Sequence, residues 1–179
     1  MLKANIEAKL NYQINRELYS AYLYLAMSSY LKGEGLDGYA NWFKIQAEEE
    51  RDHALILYNY VHRSGGTVVL DAIEAPPATF DGLRDVLVKT AEHEALVTSL
   101  IDGIVTLANE EKDHKTSNFL MWFVDEQVEE EDNAATNLKN YVPSEKSQQA
   151  VNNTAKKYKE GSIGAKANIM MNYNNREEK

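Results

Sequence analysis

Four glutamates stand where helical periodicity calls for apolar side chains. Positions three and four apart share one face of a helix, and they give the lines Leu10, Ile14, Glu17, Ala21, Tyr24 and Phe43, Ala47, Glu50, Ala54, Leu57. Two further lines are Leu83, Leu87, Ala91, Glu94, Thr98, Ile101 and Phe119, Phe123, Gln127, Glu130, Ala134, Leu138. Each carries one carboxylate, and His53 follows Glu50 by three residues, about 60° around the helix. A lone glutamate in such a stripe usually sits at its edge or pairs with a lysine. Four together, with no Lys or Arg on any stripe, would cost on the order of several kcal/mol each if buried bare, and cations among them remove that cost. Several carboxylates with one imidazole make a hard, oxygen-rich donor set suited to iron, manganese or magnesium, and less typical of structural zinc.

Long elements must hold those acids. The only prolines are Pro76, Pro77 and Pro143, so residues 1–75 and 78–142 lack the strongest helix breaker. The pattern predicts helices over about 5–32, ending at Gly33-Glu34-Gly35, and from Asp37, as N-cap, to Gly65-Gly66. A third helix, capped by Asp81, runs to about Glu111, and a fourth follows Lys112-Asp113-His114 and ends before Pro143. Residues 67–80 read as extended and irregular. A helix of about 28 residues is about 42 Å long, and an extended connector of about 14–16 residues spans roughly 50 Å. The second and third helices are therefore expected to be parallel, in an all-α four-helix bundle with one long crossover between them. Two separate helical hairpins would not need so long a connector.

Composition narrows the rest. The chain has 179 residues, a net charge of −9 and no cysteine. Disulfides, thiolate metal sites and a cysteine nucleophile are excluded. The acidic balance argues against nucleic acid as a partner, and no stretch approaches the roughly 18 apolar residues of a membrane span. With no signal-peptide pattern, a cytoplasmic location is expected. The expected domain is 1–143, followed at 144–179 by a polar, Asn- and Lys-rich tail with a short helix around 145–160.

Inward glutamates on two helices with Glu-x-x-His on the others form the pattern of di-iron carboxylate bundles. Glu50-Arg51-Asp52-His53 is one such motif, and its counterpart is Gln127-Val128-Glu129-Glu130. The centre is thus expected to be asymmetric, one iron with an imidazole and the other with carboxylates only. The runs Glu48-Glu49-Glu50 and Glu129-Glu130-Glu131-Asp132 read mainly as solvated faces, with a few acids free to form a secondary metal site. His62 and His114 are expected at the surface, and His93 points about 100° away from Glu94 and is set aside. Tyr24 lies two turns beyond Glu17, where it can hydrogen-bond to the centre or donate an electron; Trp122 is expected in core packing.

These residues, together with Asn15-Arg16-Glu17-Leu18-Tyr19-Ser20-Ala21-Tyr22-Leu23-Tyr24-Leu25, Glu48-Glu49-Glu50-Arg51-Asp52-His53-Ala54, Pro76-Pro77 and Phe123-Val124-Asp125-Glu126-Gln127-Val128-Glu129-Glu130-Glu131, resemble the non-heme ferritins of bacteria and archaea over roughly residues 4–142. The resemblance implies a ferritin-like bundle, assembled as a homo-oligomeric shell of twenty-four subunits. It implies an iron-storage ferroxidase that oxidises Fe(II) with O2 or hydrogen peroxide and keeps a ferric mineral inside. Carried over by position, Glu17, Glu50 and His53 hold the first iron. Glu50 bridges to a second iron held with Glu94 and Glu130, with Gln127 hydrogen-bonding beside the pair and Tyr24 next to it. A third iron site matches Glu49, Glu126, Glu129 and Glu130. Bacterioferritin-like chains carry a heme-ligating methionine where Arg51 stands, so no heme is expected. Rubrerythrin-like chains need cysteines, and small starvation-induced shells lack this acid set within one chain. A reading from another class, a non-catalytic metal-binding or structural helical assembly, uses the same acids without oxygen chemistry.

Overall fold

The computed structural model describes residues 2–141, which form four helices and no strand. They are α1 (Ala4–Gly33), α2 (Asp37–Arg63), α3 (Leu83–Glu110) and α4 (His114–Lys139). The expected short helix around 145–160 and the rest of the 144–179 tail lie outside the described residues. No helix among the described residues is long and apolar enough to cross a membrane.

Two caps differ from the sequence expectation. Asp37 is the first helical residue, and Leu36 is the N-cap. Asp81 does not cap α3: the N-cap is Gly82, at φ 89°, and no side chain caps it. Glycine takes that left-handed conformation without the Cβ clash. Asp113 does cap α4, accepting from the Thr116 backbone N–H at 3.1 Å and from the Thr116 hydroxyl at 2.7 Å.

Side-chain pairs fix the topology. Tyr24 with Glu94, Met27 with Thr90, and Asn5 with Glu111 make α1 and α3 antiparallel. Tyr60 with Thr116, and Gln46 with Glu130, do the same for α2 and α4. The connector between α2 and α3 runs along α1: Asn11 bonds the backbone at Thr67 and Val69, Asn15 bonds the carbonyls of Asp71 and Ala72, and the Gly82 N–H reaches the Tyr30 hydroxyl at 3.0 Å. It therefore returns the chain to the end where α2 began, which makes α2 and α3 parallel.

The core is divided along the bundle axis. Ile6, Leu10, Ile14, Leu57, Val61, Ile101, Ile104 and Phe119 pack at one end. Tyr24, Met27, Leu31, Trp42, Phe43, Val86 and Leu87 pack at the other. Between the two lies a buried polar belt containing Glu17, Glu50, His53, Glu94, Gln127 and Glu130.

Candidate metal centre

The belt exists because each helix places its acid at mid-length with apolar turns on both sides. Glu17, Glu50, Glu94 and Glu130 are each at most 4% exposed. The ion pairs of the described residues set no Lys or Arg against any of them; the only partner is His53, whose Nδ1 lies 3.4 Å from Glu50 Oε2. Four acids from four helices therefore converge without a cationic side chain to balance them.

Ligand-capable atoms of Glu17, Glu50 and His53 lie within 4.8 Å of one another, and so do those of Glu49, His53 and Glu126. The imidazole is common to both trios. Glu94 and Glu130 belong to neither trio, yet they face the same belt: Glu94 accepts from the Tyr24 hydroxyl and, at 3.3 Å, from Gln127 Nε2, and Glu130 accepts from Gln46 Nε2 at 2.9 Å. Glu129 is exposed and stands apart from both trios.

The electrostatics follow from burial. Desolvation, with the Glu50 charge adding to it, pushes the Glu17 carboxyl up to about 8. Burial lifts Glu50 to about 7, with Glu126 contributing. It lifts Glu94 to about 8 against the opposing hydrogen bond from Gln127. Glu130 is raised well above the ordinary carboxylate range by burial first and then by Glu49, Glu94, Glu50 and Glu126. Burial thus favours the protonated form of each of these four carboxyls, and a divalent cation placed among them would supply the positive charge that no Lys or Arg provides.

Several supporting residues were not identified from sequence. Gln13 and Gln46 are buried and donate to Glu17 and Glu130. Each precedes a belt glutamate by four residues on its own helix, which was the available signal. His93, set aside above, bonds the Ser20 hydroxyl at 2.7 Å and joins α3 to α1. Burial, with Arg16 nearby, depresses its pKa to about 4, so the ring is neutral. Trp122 does pack against the core, and its ring meets the His53 imidazole edge to face at 5.6 Å. His62 and His114 are exposed, as expected. A 520 Å³ groove between α3 and α4, lined by Thr98, Asp102, Gln127 and Glu131 among others, opens beside Gln127.

Comparison with known proteins agrees with this geometry. The family model described as "Ferritin-like domain" matches residues 7–141. The chain is 43% identical over 131 residues to a probable bacterial non-heme ferritin-like protein of Haemophilus influenzae, covering 73% of this chain and 79% of that protein. It is 38% identical over 138 residues to a bacterial non-heme ferritin of Staphylococcus epidermidis, covering 77% and 83%. Among solved structures, an open-pore ferritin of the archaeon Archaeoglobus fulgidus superposes with a TM-score of 0.81 at 40% identity, covering 88% of this chain and 97% of that one. Four antiparallel and parallel helices in this order, an acid from each at mid-length and a match along nearly the whole described chain lead to one assignment: the chain belongs to the ferritin family.

Proposed function

We propose that this protein stores iron and that the belt is a ferroxidase centre. The observation that carries the reading is the convergence of Glu17, Glu50, Glu94 and Glu130 with His53 and no Lys or Arg, inside a chain of the ferritin family. Iron is the substrate and cargo. Glu17, Glu50 and His53 take one Fe(II), while Glu50, Glu94 and Glu130 take the other, with Glu50 between them. Glu49, Glu126, Glu129 and Glu130 serve a third iron; the trio of Glu49, His53 and Glu126 supports a station on that side of the imidazole.

Carboxylates stabilise Fe(III) over Fe(II) through their negative charge. Each Fe(II) gives up one electron, so a bound pair reduces one O2 by two electrons, and with two protons the product is hydrogen peroxide. Hydrogen peroxide serves equally as a two-electron oxidant of the pair, giving water. Gln127 and Tyr24 hold Glu94 in place, and Tyr24 is close enough to supply an electron. The oxidised iron is then passed on to a mineral in the interior of a homo-oligomeric, twenty-four-subunit cytoplasmic shell, a transfer that carboxylates able to change their ligation suit better than a closed structural site would.

The test is stopped-flow absorbance of Fe(II) oxidation by Glu50→Ala and His53→Ala. Each variant is expected to lose at least 10-fold in initial rate, since each removes a group that holds the reacting pair. Wild-type kinetics in both variants would overturn the centre. Normal iron binding with no oxidation in the wild type would return the non-catalytic metal-binding reading.

A further inference from the structure

We propose that Gln13 and Gln46 are positioning residues, each dedicating one oxygen of a belt carboxylate to the protein and leaving the other for a cation, one glutamine for each of two cation positions. The inference rests on the function proposed above and extends it to residues that touch no substrate.

Gln13 is wholly buried on α1, and its Nε2 donates to Glu17 Oε1 at 2.8 Å. The other oxygen, Glu17 Oε2, is buried with no hydrogen-bond partner, as is Gln13's own Oε1. Gln46, on α2 and 1% exposed, reaches across the bundle to Glu130 Oε2 on α4 at 2.9 Å. The two glutamines thus serve carboxylates on opposite helix pairs: Glu17 belongs to the trio with Glu50 and His53, and Glu130, which is in neither trio, takes the carboxylate-only position of the function proposed above.

The residue type is informative. A lysine or arginine would bind the same oxygen more strongly, but its charge would compete with the cation. An amide donates without charge, favours the ionised carboxylate and fixes its rotamer. An aliphatic side chain would pack better, because burying an amide with an unpartnered carbonyl oxygen is unfavourable. Gln13 keeps that unfavourable buried oxygen, which is explicable when its N–H is what the position requires.

The test uses the full-length assembled protein with Co(II) as the probe. Calorimetric titration is run on Gln13→Met and Gln46→Met, near-isosteres that lack the N–H donor, beside His53→Ala and Glu130→Ala as markers of the two positions. Gln13→Met is expected to weaken by about 10-fold or more the step that His53→Ala abolishes, and Gln46→Met the step that Glu130→Ala abolishes. The melting temperature of the metal-free Gln13→Met protein is expected to hold or rise. Unchanged Co(II) binding in both variants overturns the inference, and so does equal weakening of both steps with a lower metal-free melting temperature, which marks a packing role. A wild-type protein that binds no Co(II) overturns the underlying function instead, so the two failures are distinguishable.

Discussion

At the scale of the residue, the belt glutamates tie stability to pH with an unusual sign. Glu17 is raised by burial from the ordinary carboxylate range to about 8. Between the unfolded value and that of the fold, the folded state holds a proton that the unfolded state has lost. Stability from this group is therefore fully present at low pH and drains away as pH rises through about 8. The metal-free wild type is expected to lose more melting temperature between pH 5 and pH 8.5 than Glu17→Gln. At the alkaline end the variant should be about 1–3 kcal/mol more stable, since its amide oxygen still accepts from Gln13. Thermal denaturation at both pH values checks this, and a wild type whose melting temperature falls no further than the variant's would contradict it. The four acids were legible in the sequence because each breaks an apolar line at helical spacing. The supporting glutamines were not, since a glutamine in a stripe carries no charge that demands an explanation. His93 escaped for a different reason. Its azimuth relative to Glu94 was read correctly, but the bond to Ser20 depends on where α1 lies.

At the scale of the element, helix spans followed from the placement of glycine and proline, while caps did not. Asp81 and Asp113 look alike in sequence, each an acid shortly before an apolar-periodic run. Only Asp113 accepts the N–H three residues on; at α3 the turn is made by the left-handed Gly82, and Asp81 contributes its own backbone N–H to the Asp85 carboxylate. Which acid caps depends on backbone geometry that the alternation of residue types does not encode. Asp113→Ala is expected to cost about 1 kcal/mol, whereas Asp81→Ala should change stability by less than about 0.5 kcal/mol, because the bond to Asp85 uses the main chain. Chemical denaturation of the two variants decides the point, and equal costs would show that the caps are misassigned. The crossover was legible from its length alone. Its attachment to α1 through Asn11 and Asn15 was not, since those asparagines could equally face solvent.

At the scale of the whole molecule, two apolar ends hold a polar waist that would be unfavourable by itself, and the remaining apolar surface points outward. Tyr22 and Leu25 of α1 are about half exposed, and Val69, Leu70 and Ile73 of the crossover are similarly open. At about 100° per residue, Tyr22 and Leu25 lie within about 40° of Asn11, which binds the crossover, so helix and connector set a strip of exposed apolar side chains along one side of α1. Monomers rarely leave such a strip uncovered. The chain also carries a net charge of −9, which opposes non-specific association, so a cover that persists must be specific. A second copy of the same face would meet that need through two-fold symmetry, each copy's strip covering the other's. A two-fold pair of this 20.3 kDa chain would weigh only about twice that, but with further contacts closing the proposed shell the wild type is expected to elute as a particle of several hundred kilodaltons by gel filtration with light scattering. Introducing charge at both ends of the strip, with Leu25→Glu and Leu70→Glu together, should reduce that particle to one or two subunits while circular dichroism reports unchanged helix, because both side chains lie outside the two cores. A full-sized particle from the double variant would place the assembly contacts elsewhere on the bundle, and a wild type that stays a single subunit at every concentration would remove the enclosed interior that storage requires.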